Sequence, residues 1–174
     1  MPGGFEVNAH RYDPYKNFKF RVKDGERIVL GVNKVGALKH TTEVVKYRSG
    51  GDNGWEHKSP GRTTWDAITM ERGITHDRDF ETWARMVTSW DGDASKDLVN
   101  YKRNLTLEVM NEKGQVALRY FLHDCWVSEY TAIPELDASG NAVAIESLRL
   151  ELEGWERDPG ATEPDESEPV PRIQ

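Results

Sequence analysis

Histidine, cysteine, a glycine-rich loop and clustered aspartates are the features of this chain that could support chemistry, and each is tested first by its spacing. His10, His40, His57, His76 and His123 are scattered, and no pair has a metal-ligand spacing such as H-x-x-x-H. They read as loop and strand-surface histidines. The tripeptide His123-Asp124-Cys125 invites a cysteine nucleophile with a histidine base. In a strand, His123 and Cys125 share one face while Asp124 points the other way, which leaves the base without its orienting partner. Gly50-Gly51-Asp52-Asn53-Gly54 could cradle a phosphate, yet no lysine-threonine pair follows and no helix opens at its end. A turn is the simpler reading. Asp91, Asp93 and Asp97 suggest a calcium loop, but Gly92 comes too early and the bidentate glutamate at the twelfth position is missing. No cofactor or metal site follows from these residues.

Six tryptophans offer a further possibility, because exposed aromatic rings can stack on sugars. Trp83 and Trp90 fall on an apolar helical face and Trp126 in an apolar strand, so these three are assigned to the core. Trp55 in the glycine-rich loop and Trp155 near the end of the domain are the candidates for a surface role, and Trp65 fits either group. A tryptophan-dependent carbohydrate-binding sandwich is therefore one reading. An aromatic residue at a loop tip suits a protein partner at least as well.

The elements that would position these residues are mostly strands. With 174 residues the chain can bury one sizeable core. A net charge of −7 and a pI near 5.3 argue against a surface that wraps nucleic acid. The lone Cys125 cannot form an internal disulfide and reads as a small buried hydrophobe. The first twenty residues lack the apolar stretch of a secretory signal, and no window approaches the roughly 20 apolar residues of a membrane helix. The expectation is a chain made and folded in the cytosol and not embedded in a bilayer.

Phe18, Phe20 and Val22 alternate with Lys19, Arg21 and Lys23, Asp24-Gly25 turns the chain, and Ile28 and Leu30 resume the pattern, which predicts a hairpin. Thr41 to Tyr47 is β-branched and leads into the glycine-rich loop. Lys58-Ser59-Pro60-Gly61 is a second turn signal, and Thr63 to Glu71 returns as a strand carrying Trp65, Ile68 and Met70. Together these segments predict a long-tipped hairpin. Asp77 can cap a helix in which Phe80, Trp83, Ala84, Val87 and Trp90 share a face, with Asp91-Gly92-Asp93 as its stop. Leu105, Leu107 and Val109 alternate before a turn at Asn111 to Gly114, and Val116 to Val127 forms the partner strand. In the last strand Val143, Ile145, Leu148, Leu150 and Leu152 slip in phase between Ile145 and Leu148, which a β-bulge would explain.

The predicted organisation is an N-terminal arm over 1–16, a β domain over 17–157 and an acidic, proline-rich tail over 158–174. The tail carries five acids against Arg172 and too few apolar residues to offset the entropy of ordering.

Read in order, the chain resembles the tube proteins of contractile phage tails and the inner tube proteins of extracellular contractile injection systems. The resemblance rests on Asp13-Pro14 with the strand Phe18 to Val22, on Val44 to Tyr47 leading to Gly50-Gly51, and on Lys58-Ser59-Pro60-Gly61. It continues through Glu71-Arg72-Gly73-Ile74-Thr75, the helix containing Trp83, and the late strand Asn141 to Glu146, covering residues 13 to 155. The acidic tail and the stretch from Gly92 to Asn100 depart from the pattern. The resemblance implies a β-barrel-like sandwich of two sheets with one flanking helix, and a structural subunit that catalyses nothing. It also implies six copies closing into a ring, rings stacking into a hollow tube, and sheath, baseplate and cap proteins as partners with cargo in the lumen. A tube-like protein of a type VI secretion apparatus is the related alternative. On this reading Tyr47, Gly50, Gly51, Asp52, Asn53, Gly54, Trp55, Lys58, Pro60, Gly61, Arg72 and Gly73 make contacts between subunits and rings, and Phe80, Trp83, Val87 and Trp90 anchor the helix.

Overall fold

A computed structural model describes residues 19–29, 31–51, 54–88 and 100–164. Phe18, Leu30, Asp52, Asn53, Trp90, the arm over 1–16 and the tail beyond 164 lie outside the described residues. The strands are β1 Phe20–Asp24, β2 Arg27–Val29, β3 Val32–Val35, β4 His40–Tyr47, β5 His57–Trp65 and β6 Ile68–Gly73. Helix α1 Asp79–Val87 follows, then β7 Arg103–Met110, β8 Val116–Thr131, β9 Ile145–Glu151 and β10 Gly154–Arg157. All pairings are antiparallel. One sheet has eight strands in the order β2-β1-β7-β8-β9-β6-β3, with β10 added to β8, and a second sheet consists of β4 and β5. The described residues are mainly β with one short helix, as the residue patterns predict.

The long strand β8 joins two halves of the large sheet. Its first part pairs with β7 and β10 and its last part with β9. At the join Asp124 adopts a φ of 52° and its N–H donates to Asn104 Oδ1 at 2.9 Å. A short polar side chain tolerates this left-handed conformation better than a bulky one. The core gathers Val22, Leu105, Leu122, Cys125, Val127, Ile68, Met70, Leu148 and Leu150 from the two halves, with Phe80, Trp83 and Ala84 from α1.

Several predicted phases are corrected. The β1–β2 hairpin forms, but Val29 faces inward opposite Val22 while Ile28 is exposed, because the turn residues are Gly25 and Glu26. Gly31, at φ 78°, redirects the chain so that β3 pairs with β6 at the far edge of the sheet instead of extending the hairpin. The predicted turn at Lys58 to Gly61 is strand, within β5. Pro60 has no N–H and sits opposite Val44 at a bulge between Thr42 and Val44, where a proline costs no ladder bond. Gly61 crosses there so closely that a Cβ would meet Val45 Cγ2 at 3.0 Å.

Helix α1 begins one residue later than an Asp77 cap implies, with Arg78 in the cap position. Asp77 still serves the first turn, since its Oδ1 accepts from the N–H of Asp79 at 3.0 Å. The helix ends at Val87, before the predicted stop at Asp91 to Asp93, and Thr88 is extended. Phe80, Trp83 and Ala84 are buried and Val87 is half-buried.

The last strand carries no bulge between Ile145 and Leu148, where its register with β6 is continuous; the irregularity falls in β8, between Val127 and Glu129. The inward positions are therefore Glu146, Leu148, Leu150 and Leu152, and Ile145 is not the one that faces the core. A charged residue in an apolar row created the apparent slip. Its partner is the cross-strand neighbour Arg72.

A second polar row crosses β1, β7 and β8, where Arg21 stands opposite Glu108 and Glu108 opposite Arg119. Glu108 is fully buried, bonded to Arg21 and, at 3.0 Å, to Arg119 Nε, with Lys23 Nζ at 3.4 Å. Burial pushes its carboxyl upward, but the bonds from Arg21 and Arg119 outweigh that and hold it below the usual range. The unfolded chain then binds the proton more readily, so this stabilisation is present above the unfolded pKa of about 4.3 and is lost as acid reaches the lower folded value. Urea midpoints should thus fall between about pH 5 and 3, and Glu108→Gln should flatten part of that slope. An unchanged slope would remove Glu108 from the account. Arg119 also binds Asp158 Oδ2 at 3.0 Å, and the Asp158 N–H donates to the Arg119 carbonyl at 2.8 Å. The first residue assigned to the tail is thereby tied to the sheet.

Candidate assembly surface

The β4–β5 hairpin stands off the body. Its register runs from His40 opposite Trp65 to Tyr47 opposite His57, and every residue of β4 is exposed. Seven steps at about 3.3 Å give β4 a length of roughly 23 Å. Thr42 and Thr63 share a hydroxyl bond at 2.8 Å across the strands, and the Tyr47 and His57 rings stack at 5.2 Å near the tip. A two-stranded hairpin with neither face covered is marginal in water, and its open edges offer unpaired backbone groups. Val44, Val45, Tyr47 and Trp55 nevertheless present apolar surface here, Trp55 being 77% exposed. An exposed apolar arm of this kind is a candidate surface for a partner protein.

The root of the arm is held by aromatic packing. His40 lies 5.0 Å from Trp65 and 5.5 Å from Trp155 between ring centroids, Trp65 meets Trp155 at 5.4 Å, and Tyr120 backs Trp155 at 6.0 Å. The Lys39 carbonyl accepts from the Asp66 N–H at 3.0 Å, closing the base. Trp155, a surface candidate by sequence, is therefore part of this clamp. Trp126 meets Tyr101 at 6.3 Å and is half-buried rather than fully buried. Among the described tryptophans Trp55 is the one that is exposed, so they form no platform of several rings for a sugar.

Of the residues expected to make contacts, Tyr47, Gly50, Gly51, Gly54, Trp55 and Lys58 lie exposed along the arm or its tip, and Pro60 is exposed on β5 while Gly61 is half-buried. Asp52 and Asn53 lie outside the described residues. Arg72 does not belong with them. Its side chain is 1% exposed, donating from Nε to Glu146 Oε1 at 2.5 Å, from Nη1 to Asp77 Oδ2 at 3.1 Å and from Nη2 to the Asp77 carbonyl at 2.6 Å. The Phe80 ring lies 4.0 Å below the guanidinium. Tyr130 completes the network through its hydroxyl, donating to Glu146 Oε2 at 3.1 Å, and burial together with that bond pushes the phenol up to about 12. Sequence reasoning missed this site, although the break in apolar phase at Glu146 was its signal. Gly73, next in the chain, is half-buried in β6.

A cavity of about 680 Å³ beside α1 is bordered by Asp77, Arg78, Glu81, Arg85 and Tyr130, and mixes both charge signs. His123 and Cys125 do not converge: His123 Nε2 faces Glu156 Oε1 at 3.1 Å, while Cys125 is fully buried and its thiol is pushed up to about 12 by burial. Among the described residues, no group of three or more His, Cys, Asp or Glu is placed to hold a metal ion. No helix in the described residues is long and apolar enough to cross a membrane.

Comparison with known proteins bears on the same stretch of chain. The family model for the T4-like virus tail tube protein gp19 matches residues 16–156. Among solved structures, a chain of the PVC sheath–tube complex of an extracellular contractile injection system, in its extended state, superposes with a TM-score of 0.70. It is 19% identical, with 84% of this chain and 93% of that one covered. A chain of the anti-feeding prophage baseplate gives 0.69 at 18% identity, covering 84% and 97%. One from the cap that terminates the anti-feeding prophage tube gives 0.71 at 20%, covering 91% and 99%. No curated protein matches the chain significantly. The superpositions establish a shared fold, and the family match extends over most of the sequence. The chain therefore belongs to the T4-like virus tail tube protein family: it is a structural tail tube protein of a phage tail or contractile injection system, and not an enzyme.

Proposed function

We propose that this chain is a tube subunit whose six copies close into a ring, with rings stacking into a hollow tube inside a contractile sheath. The observation that carries this reading is the uncovered β4–β5 arm, an apolar-tipped hairpin clamped at its root and bare along its length. Pairing of open strand edges between neighbours removes that liability and joins six small sheets into one closed wall. The arm, together with residues 1–16, reaches the adjacent ring, while the body over 17–157 forms the wall and the acidic residues over 158–174 keep free subunits apart by mutual repulsion. Subunits made in the cytosol assemble onto a baseplate, are enclosed by sheath protein and are closed by a cap, with any cargo in the lumen. Function is mechanical: rigidity comes from many repeated interfaces while the sheath drives the tube forward.

Negative-stain electron microscopy of the purified chain over a concentration series, with and without residues 158–174, tests the reading. Rings or tubes with a central hole are expected. Deleting Gly50 to His57 should leave a folded subunit, judged by circular dichroism, that no longer stacks. Tubes of normal length from that deletion would remove the arm from the assembly.

A further inference from the structure

Most of the large exposed apolar residues fall at two places on the subunit, separated by β6, while Ile28 on β2 lies apart from both. The arm leaves the body beside Ile68, at the end of β6 that pairs with Leu150, whereas the 132–144 loop joins β8 to β9 beside Gly73, which pairs with Ile145. Five strand steps of about 3.3 Å place the two ends of β6 roughly 17 Å apart. Ile133, Leu136 and Val143 on the loop are 62%, 73% and 79% exposed. The loop is shaped from within, since Asp137 Oδ1 accepts from the Ser139 N–H at 2.9 Å and the Asp137 carbonyl from the Gly140 N–H at 3.0 Å. Pro134, Leu136, Ala142 and Val143 border a hollow of about 190 Å³, comparable with one large side chain.

Charge is complementary across the two features. The hairpin carries Lys46, Arg48, Lys58 and Arg62 against Glu43, Asp52 and Glu56, while the 132–144 loop carries Glu135 and Asp137 with neither lysine nor arginine. A head-to-tail contact that repeats without closing needs two different surfaces on opposite ends of one subunit. We infer that the 132–144 loop is the socket for the arm of a second copy of this chain, with Trp55 as the knob that enters the Leu136–Val143 hollow. This rests on the stacking role proposed above and identifies the receiving side of that contact. The aromatic knob supplies buried area, and the lysines and arginines of the arm, in slight excess over its acids, favour the acidic loop over loop-to-loop pairing.

The test uses full-length chain with a photoreactive benzophenone side chain at position 55, assembled and irradiated. A two-chain band should form, and peptide mapping should place its cross-link within residues 132–144. As a second measurement, Leu136→Asp, at a position too exposed to affect folding, should reduce pelleted tube at least tenfold while circular dichroism stays unchanged. Cross-links mapping elsewhere, or Leu136→Asp chains that pellet as well as the parent, would overturn the socket while leaving the tube reading intact. Parent chain that stays monomeric at every concentration would overturn both.

Discussion

Trp83→Ala is expected to lower unfolding free energy by about 3–5 kcal/mol, the range for truncating a large aromatic side chain in a packed core. Trp83 is 2% exposed, between α1 and the sheet. Its Nε1 donates to the Tyr101 carbonyl at 2.7 Å, and the Arg103 guanidinium lies 4.7 Å from the ring centroid. Arg103 in turn reaches Asp24 at 3.1 Å and Asp79 at 3.4 Å, so this one indole organises the junction of β1, α1 and the start of β7. Truncation opens a cavity and strands a carbonyl that had a donor. Trp83→Phe keeps most of the apolar area and loses the hydrogen bond, so its cost should stay near 1–2 kcal/mol. Urea denaturation followed by far-ultraviolet circular dichroism compares the two. Equal losses for Phe and Ala would show that the hydrogen bond, and not the packing, holds the helix.

Arg72→Met should be as damaging as the indole truncation, about 3–5 kcal/mol, because it leaves Glu146 buried and unpaired. Glu146 is 5% exposed, and apart from Arg72 its bonded neighbour is the Tyr130 hydroxyl, which cannot neutralise a carboxylate. The same change frees Asp77, whose Oδ1 serves the first turn of α1. In the double variant Arg72→Met with Glu146→Leu both charges are gone, and most of the loss should be recovered, since well-packed apolar replacements of buried ion pairs are often neutral. A double variant as unstable as the sum of the two single ones would mean that the pair contributes through geometry at α1 and not through charge. The helix entry is the place to look in that event, by the proton exchange rates of its first amides.

Both predictions concern interior residues, yet they bear on assembly. The Arg72 network seats the first turn of α1 against β6 and β9, the pair of strands that separates the arm from the 132–144 loop. In the proposed stack, a tube wall that transmits force needs the arm and the loop fixed relative to one another. Softening the span between them should therefore impair stacking before it unfolds the subunit.

The sequence by itself determined the mainly β character, the two hairpins around Gly25 and Gly114, the arm with its glycine-rich tip and the short amphipathic helix. These rest on local signals: period-two alternation, turn residues and one 3.6-residue stripe. The family resemblance followed from their order along the chain. Tertiary structure decided the rest. Lys58-Ser59-Pro60-Gly61 reads locally as a turn, and becomes strand because a bulge opposite Pro60 and the bare Cα of Gly61 fit a neighbour that lies sixteen residues away or more in sequence. The placement of β3 beside β6 depends on the same kind of long-range pairing, which no window of sequence contains. Glu146 and Arg72 gave the least legible result: Arg72 reads as a contact residue between subunits and Glu146 as the end of the Asn141 to Glu146 stretch, and each became interior when β6 and β9 set them side by side under α1. A charge can be buried where its counter-charge arrives from a distant strand, so the physical reason lies in a pairing of residues separated by 74 positions.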